Sequence, residues 1–299
     1  MIPIVRWASS EKRSLHVENV ADGVFYIPRF WQETAMGDPD VMLNHLQGLD
    51  FPSRSSNPRR YRGNEIRRDV IHINATGDRD VIADYSYTGL QLENILEGLD
   101  IIDVDFLQRP LLKLNSKLCV NGHLPKFNHI IATMYTDESD RITQHHDNPK
   151  SIASGSVILC ASFGARRVFS IHDDKNVVWH KAMESGSAVI MTADANVKYT
   201  HALGELTDGA TIGDRYSLVF RQIAESKSRA AIEKGAHASR LKKIRAETKR
   251  LERFADDVEY FQSMQSEHPR EVDEYRKAHR ALYKRYREIC SDDNETNIV

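Results

Sequence analysis

Seven short segments between His129 and Ile223 constrain the fold of this chain more than any other feature. Each is rich in β-branched and aromatic residues, and Gly, Asp or Asn residues separate them. In chain order they are HIIATMY, SVILCASF, RRVFSIH, NVVWHKA, SAVIMTA, VKYTHAL and RYSLVFRQI. Because a jelly roll has about eight strands, the pattern predicts a jelly-roll core.

The segment RITQHHDNPK carries a histidine and a carboxylate two positions apart. In an extended chain, His145 and Asp147 project from the same face. With one more histidine they would form the two-histidine, one-carboxylate site of non-haem Fe(II), which leaves positions open for substrate and oxygen. His201 in VKYTHALG is the preferred third ligand, and His180 in VVWHKA is the alternative.

The His-x-Asp spacing is a weak signal by itself, because the chain repeats it at His172 and Asp174. This second pair lies in a charged run with Lys175, which is typical of a hairpin turn. We therefore expect His172 and Asp174 to lie on the surface.

Two arginines follow the third candidate ligand. Arg215 and Arg221 are six residues apart in RYSLVFRQI, so both lie on one face of a strand. Two guanidinium forks on one strand suit a dicarboxylate ligand. A structural ion pair is the alternative interpretation of each.

The order of several motifs resembles the AlkB-like Fe(II)/2-oxoglutarate dioxygenases. These motifs are FNHIIATMY before the His-Asp pair, then SFGARRVF, GSAVIMTADANVKYTH and RYSLVFR. The resemblance runs from about Pro58 to Ile223. It implies a double-stranded β-helix that uses Fe(II), 2-oxoglutarate as cosubstrate and O2. It further implies oxidative demethylation of alkylated bases in DNA or RNA, which releases succinate, CO2 and formaldehyde.

The resemblance also implies roles for individual residues. The iron ligands would be His145, Asp147 and His201. The residues that bind 2-oxoglutarate would be Tyr135, Thr133, Ser217, Arg215 and Arg221. The family usually has asparagine where Thr133 and Ser217 stand, and both hydroxyls can still form hydrogen bonds.

One departure from the family concerns the substrate. Its repair members often carry an acidic residue close behind the metal-binding aspartate, whereas this chain has Asn148-Pro149-Lys150. This keeps a second hypothesis open, in which the same chemistry hydroxylates an unmodified base, a protein side chain or a small molecule. A third hypothesis is a nucleic-acid-binding module without catalysis.

A basic segment, PSRSSNPRRYRGNEIRR at residues 52–68, is typical of an exposed loop. A solvated charge run is the ordinary interpretation, but arginines also contact phosphates and stack on bases. The family has its nucleotide-recognition lid here, so residues 58–89 are a candidate lid. The candidate substrate-binding residues are Arg59, Arg60, Arg62, Tyr85, Tyr87 and Arg167.

The sequence predicts an α+β protein with four parts. A supporting segment, residues 1–57, includes a strand at residues 24–31 and a helix that begins at Asp38-Pro39. The dioxygenase domain spans residues 58–223, within which Pro110 is a candidate helix start. A charged helical extension covers 224–291, and a tail covers 292–299.

Composition restricts the setting. No apolar run approaches the roughly 20 residues of a membrane span. Three cysteines, Cys119, Cys160 and Cys290, are far apart and odd in number, which predicts reduced thiols in an intracellular protein, cytoplasmic or nuclear. Residues 225–291 hold 17 basic and 12 acidic residues although the whole chain has a formal charge of −2. Nucleic acid is the expected partner, and the sequence does not indicate an oligomeric state.

Overall fold

A computed structural model describes residues 5–7, 15–34, 36–49, 51, 60–61, 64–65, 69–74, 81–83, 99–101, 105–137, 139–204, 209–224 and 226–228. The chain divides into two compact units, Met1–Glu233 and Lys234–Val299, and the described residues all belong to the first.

Eighteen strands form the framework of the described unit. In chain order they are β1 (Val5–Trp7), β2 (Glu18–Ala21), β3 (Val24–Ile27), β4 (Arg60–Tyr61), β5 (Asn64–Glu65), β6 (Asp69–Asn74), β7 (Val81–Ala83), β8 (Leu99–Ile101), β9 (Leu118–Val120), β10 (His129–Tyr135), β11 (Ile142–His145), β12 (Val157–Gly164), β13 (Val168–Asp173), β14 (Asn176–Ala182), β15 (Ala188–Thr192), β16 (Thr200–Leu203), β17 (Arg215–Arg221) and β18 (Ser226–Ser228).

Four helices accompany the strands in the described part of the chain. They are α1 (Phe30–Glu33), α2 (Pro39–Gln47), α3 (Asp105–Lys117) and α4 (Ala193–Lys198). None of the described helices is both long enough and apolar enough to cross a membrane.

Two of the sheets carry the fold. The larger has eight strands in the order β2-β3-β15-β12-β17-β10-β6-β8, and the smaller has four in the order β11-β16-β13-β14. Pairing is antiparallel except between β6 and β8. The predicted jelly-roll core with supporting helices is therefore confirmed, and each of the seven predicted segments contains a strand.

Alternation along the central strands assigns each residue to one side of the large sheet. On β17, Tyr216, Leu218 and Phe220 join the hydrophobic cluster that also contains residues of α1, α2 and α3. Arg215 and Arg221 project to the opposite side, with the intervening residues Ser217 and Val219, and line a pocket. One strand thus contributes to the core with one face and to the pocket with the other.

The pocket side of the large sheet faces the small sheet. Tyr26, Tyr135 and Val189 of the large sheet form one hydrophobic cluster with Phe169 and Leu203 of the small sheet. This cluster closes the interior around the pocket with close-packed apolar side chains. Such packing holds the polar residues of the pocket on rigid strands.

In the N-terminal segment the predicted helix is confirmed and the predicted strand is only partly correct. Asp38 caps α2 by accepting a hydrogen bond from the Asp40 N–H at 3.0 Å, with Pro39 as the first helical residue, as predicted. The predicted strand at 24–31 is half wrong, because it ends at Ile27 and α1 begins at Phe30.

Pro110 does not start its helix. It lies inside α3, which begins five residues earlier at Asp105. The apolar stripe Leu107, Leu111 and Leu114 is buried in the core cluster. Burial of a stripe that starts before the proline explains why the helix extends in that direction despite the lost hydrogen bond.

At both ends of the predicted dioxygenase domain the structure has strands where the sequence predicted a loop or a helix. Ser226–Ser228 forms β18, antiparallel to β7, so the extension predicted over 224–291 does not start as a helix. Backbone pairing here overrides a helical composition. The basic segment contains the hairpin of β4 and β5, and β6 of the candidate lid belongs to the large sheet. The remaining predicted extension and tail lie outside the described residues.

Candidate active site

The three predicted metal ligands lie together in the pocket. His145 ends β11 and is paired in register with His201 on β16, with ring centroids 4.3 Å apart. Asp147 follows β11 by two residues. One ligand atom from each of the three lies within 4.8 Å of the others, and the group is unique among the described residues. Histidine nitrogens and carboxylate oxygens lie about 2.0–2.2 Å from a bound divalent metal such as zinc. Because the three atoms are already close together, a small side-chain adjustment would let them share one ion.

The alternative ligands lie elsewhere. His180 is exposed on β14 and does not belong to the group. His172 is buried, contrary to the surface position expected for it, and its Nε2 lies 2.8 Å from the Ser170 hydroxyl. Asp174 is exposed with φ 55° in the turn between β13 and β14, as expected. The hydroxyl partner allows a histidine at a strand end to be buried.

Arg221 holds the carboxylate of Asp147. Its Nε donates to one carboxylate oxygen at 2.8 Å and its Nη2 donates to the other at 2.6 Å. Both side chains are buried, with 5% and 1% exposure. A two-point fork of this kind fixes the plane of the carboxylate as well as its position. The structural ion pair weighed for Arg221 is present, and its partner is a candidate metal ligand.

The two histidine rings are oriented by their neighbours. The Nδ1 of His145 lies 2.8 Å from the Thr143 carbonyl, which can only accept, so Nδ1 carries the proton and Nε2 keeps its lone pair. The ring of Phe169 stacks on His201 at 5.7 Å between centroids and 11° between planes. Fixing a ring and its tautomer in this way is how proteins prepare a histidine to bind a metal.

The charges of the group favour the state that binds metal. Burial raises the pKa of Asp147, but Arg221, His201 and His145 outweigh it and lower the pKa to about 2. Burial and the neighbouring His145 lower the pKa of His201 to about 3. At neutral pH the carboxylate is therefore ionised and His201 is neutral. Protons then compete little with a metal ion for either ligand.

These pKa values predict how the metal-free protein responds to acid. In the folded protein His201 stays neutral down to about pH 3, whereas in the unfolded chain it takes up a proton near pH 6.5. Its contribution to the stability of the folded state is therefore complete above pH 6.5 and declines as the pH falls toward 3. Asp147 adds a decline between its ordinary pKa of 3.8 and about 2. Thermal unfolding from pH 8 to pH 3 should give a melting temperature that falls below pH 6.5. His201→Gln should flatten the part between 6.5 and 4, and an unchanged slope would contradict this origin.

Arg215 is the most buried cation of the described pocket, with 0% exposure. Its Nη2 donates to the Ser162 hydroxyl at 2.8 Å, and its guanidinium carbon lies 5.1 Å from the centroid of the Tyr135 ring. Its Nε and Nη1 are buried and have no hydrogen-bond partner among the described residues. Because buried donors are nearly always paired, these two point to an acidic ligand.

The remaining cosubstrate candidates lie beside Arg215. Thr133 and Ser217 are register partners on β10 and β17, both are buried, and both line the pocket. Tyr135 is paired with Arg215 in the same register. The pocket also includes Cys160, whose pKa is raised by burial. Sequence reasoning missed Ser162 and Cys160, since nothing but their even spacing on β12 distinguishes them.

The substrate candidates are less well placed. Arg167 is 5% exposed, and its Nη2 donates to the Asp137 carbonyl at 2.9 Å, so it supports the turn before β11. Arg60 lies on β4, where the backbone alone is described. Arg59, Arg62, Tyr85 and Tyr87 lie outside the described residues. The described residues thus bring together the candidate metal and cosubstrate groups, whereas the side chains proposed for the lid are not among them.

The fold and the site together define a class of protein. A jelly roll that places two histidines and an aspartate beside buried arginines combines the ligand set of non-haem Fe(II) oxygenases with donors for an acidic ligand. Comparison with protein families agrees, since the model of the 2OG-Fe(II) oxygenase superfamily matches residues 44–221. The chain belongs to this superfamily.

Parts of the chain are similar to individual relatives and to a solved structure. The mouse protein DNA oxidative demethylase ALKBH2 is 29% identical over 127 residues, which are 39% of this chain and 52% of that protein. The human protein of the same name is 30% identical over 110 residues, 34% and 41% of the two chains. The match thus spans about half the length of these relatives or less. A solved structure described as OsALKBH1 covers 69% of the chain at 18% identity, with a TM-score of 0.43.

The chain is therefore an AlkB-like 2-oxoglutarate-dependent dioxygenase, with Fe(II), 2-oxoglutarate and O2 as its cofactor and cosubstrates. The predictions of family, enzyme class and cofactors are confirmed.

Proposed function

We propose that this dioxygenase demethylates alkylated bases in DNA or RNA. The observation that carries the proposal is the group formed by His145, Asp147 and His201 in one pocket with Arg215. The names of the mouse and human relatives, DNA oxidative demethylase, support nucleic acid as the substrate. Residues 225–291 supply a basic excess suited to a polyanion.

In this proposal His145, Asp147 and His201 hold the iron. With 2-oxoglutarate and O2, Fe(II) supplies an oxidative decarboxylation that yields succinate and CO2 and transfers one oxygen atom to a substrate C–H bond. An N-methyl carbon that gains a hydroxyl leaves its nitrogen as formaldehyde, and the nitrogen regains a proton. Two imidazoles and one carboxylate would hold the metal through three ligand atoms, which would leave its remaining positions for cosubstrate and oxygen.

The protein's own residues bind and orient the reactants. Arg215 would hold one carboxylate of 2-oxoglutarate with its two free donors, and Tyr135, Thr133 and Ser217 would complete that end of the pocket. Arg221 keeps the Asp147 carboxylate ionised and fixed in plane. Apolar residues around the pocket, such as Ile131 and Leu203, exclude water from the reaction.

A second function remains a candidate because of the turn after the metal pair. Lys150 donates its N–H to the Asn148 side chain at 3.1 Å, and neither residue supplies a carboxylate. A cationic methylated base would therefore lack an acidic partner here. This favours an uncharged substrate, which the same chemistry would hydroxylate.

The proposal is tested by coupled product formation. Fe(II)-loaded protein is incubated with 2-oxoglutarate and either N-methylated or unmethylated oligonucleotides, as single-stranded DNA and RNA of one sequence. The methylated polymer should raise succinate formation, and formaldehyde should appear in equal amount. The unmethylated polymer is the matched control.

Two other outcomes separate the alternatives. Succinate without formaldehyde, with either polymer, would favour hydroxylation of an unmodified base. Turnover that no oligonucleotide changes would contradict the nucleic-acid substrate and keep the dioxygenase.

A further inference from the structure

Asn196 is a buried polar residue to which neither the sequence motifs nor the iron ligands assign a role. It lies on α4, the short helix that joins β15 to β16, and its exposure is 0%. Its side-chain oxygen accepts a hydrogen bond from the Asp147 N–H at 2.9 Å, and its side-chain nitrogen donates to the Asp147 carbonyl at 2.9 Å. One amide thus satisfies both backbone groups of a candidate metal ligand.

The contact occurs where β11 has ended and backbone pairing can no longer hold the chain. β11 pairs with β16 up to His145, and Asp147 lies two residues beyond that pair. The Asn196 amide replaces the missing strand partner, since a primary amide offers the same donor and acceptor as a peptide group. The direction in which Asp147 projects its side chain then depends on this amide.

A third contact orients the residue between the two ligands. The Nδ1 of His146 lies 2.6 Å from the backbone carbonyl of Asn196. His146 is therefore drawn toward α4, which agrees with the alternation that brings His145 and Asp147 to one side. Asn196 consequently contacts two successive residues of the His-x-Asp segment.

The same helix leads directly to the third ligand. The Thr192 hydroxyl caps α4 by accepting from the Ala195 N–H at 3.1 Å, and the Tyr199 N–H donates to the Ala195 carbonyl at 2.7 Å where the helix ends. β16 begins at Thr200, and His201 is its second residue. Asn196 thus connects the segment that carries Asp147 to the segment that carries His201.

Two restraints act on Asp147 from different sides. Arg221 holds the carboxylate, and Asn196 holds the backbone. The fork fixes the end of the side chain, and the amide fixes the backbone N–H and carbonyl of the same residue. Metal affinity depends on such outer contacts, whose loss typically weakens binding about 10- to 100-fold.

We propose that Asn196 is a positioning residue that presets Asp147 for iron. This rests on the proposed iron site and extends it to a residue that touches no reacting atom. The competing explanation is that the amide only satisfies buried backbone groups and contributes to stability.

The chain provides a control for that competing explanation, at a half-buried asparagine with the same hydrogen-bond pattern. Asn115 on α3 makes the same pair of bonds to Phe127, accepting from its N–H at 2.8 Å and donating to its carbonyl at 3.0 Å. Neither residue lines the pocket. Asn115→Asp and Asn196→Asp therefore lose the same donor and gain the same charge.

The experiment measures Mn(II) binding to the metal-free full-length protein by electron paramagnetic resonance of the free ion. Asn196→Asp should bind Mn(II) about 10- to 100-fold more weakly than the wild type. Asn115→Asp should bind as the wild type does, and both variants should lower the melting temperature. Asn196→Ala and Asn115→Ala form a second pair without added charge, for which the same difference is expected.

Equal Mn(II) affinity within either pair would overturn the positioning role. A different result would count against the iron site itself: no Mn(II) binding by the wild type, or unchanged binding by Asp147→Ala. The two failures are therefore distinguishable in one titration.

Discussion

Asp147→Ala should lower the rate of succinate formation from 2-oxoglutarate at least about 100-fold. Loss of an outer contact typically lowers metal affinity or activity about 10- to 100-fold, and loss of a metal ligand should have a larger effect. The substitution also leaves Arg221 buried without the carboxylate that accepts its Nε and Nη2. Breaking a buried pair in this way costs about 3–5 kcal/mol in free energy of unfolding. Activity is measured well below the melting temperature, so that folding does not limit it.

The control is a second buried carboxylate. Asp140 is 1% exposed and accepts from the Thr136 N–H at 2.7 Å, but it does not belong to the metal-binding group. Asp140→Ala should lower the melting temperature and retain metal binding. If Asp147→Ala kept metal affinity and turnover while its stability fell, Asp147 would be a structural partner of Arg221 and not a ligand.

The framework of the site could be predicted because it depends on local patterns. Runs of β-branched residues identified the strands, and even spacing placed Arg215 and Arg221 on one face of β17. The position of Asp147 was predicted by the same alternation, although it lies beyond the end of β11. The motif order, not the spacing, separated His145 and Asp147 from His172 and Asp174.

Contacts between distant segments could not be predicted. Asn196 lies 49 positions from Asp147, and Ser162 lies 53 positions from Arg215. Such pairs are determined by which strands become neighbours and by the geometry of the connections between them. Single asparagine and serine residues have no periodic pattern, so the sequence offered no signal that distinguishes them from others of their type.

The two arginines illustrate the same limit. Their even spacing suggested that both bind a dicarboxylate, but Arg221 is paired with Asp147 whereas Arg215 retains two buried donors. The difference arises from the neighbours across the pocket. The structure thus assigns a different energetic consequence to each arginine, which a pair of substitutions can measure.

Arg215→Met should raise the KM for 2-oxoglutarate about 10- to 100-fold and leave Mn(II) binding unchanged. A hydrogen bond to a charged group contributes about 1.5–3 kcal/mol, and 1.4 kcal/mol corresponds to a factor of ten. The measurement is succinate formation against 2-oxoglutarate concentration at saturating iron. A KM equal to that of the wild type would show that the two free donors of Arg215 do not hold the cosubstrate.

In the metal-free protein, substituting the two arginines should change the melting temperature differently. Arg215 is buried without a carboxylate partner among the described residues, so methionine in its place should leave the melting temperature unchanged or raise it. Arg221→Met removes the two donors that hold the buried Asp147 carboxylate, and should lower the melting temperature. If both variants lowered the melting temperature equally, Arg215 would be paired with a carboxylate as Arg221 is. That result would contradict its role in binding the cosubstrate. A charged residue that binds a ligand is expected to lower the stability of the ligand-free protein, because its charge is buried while its partner is absent.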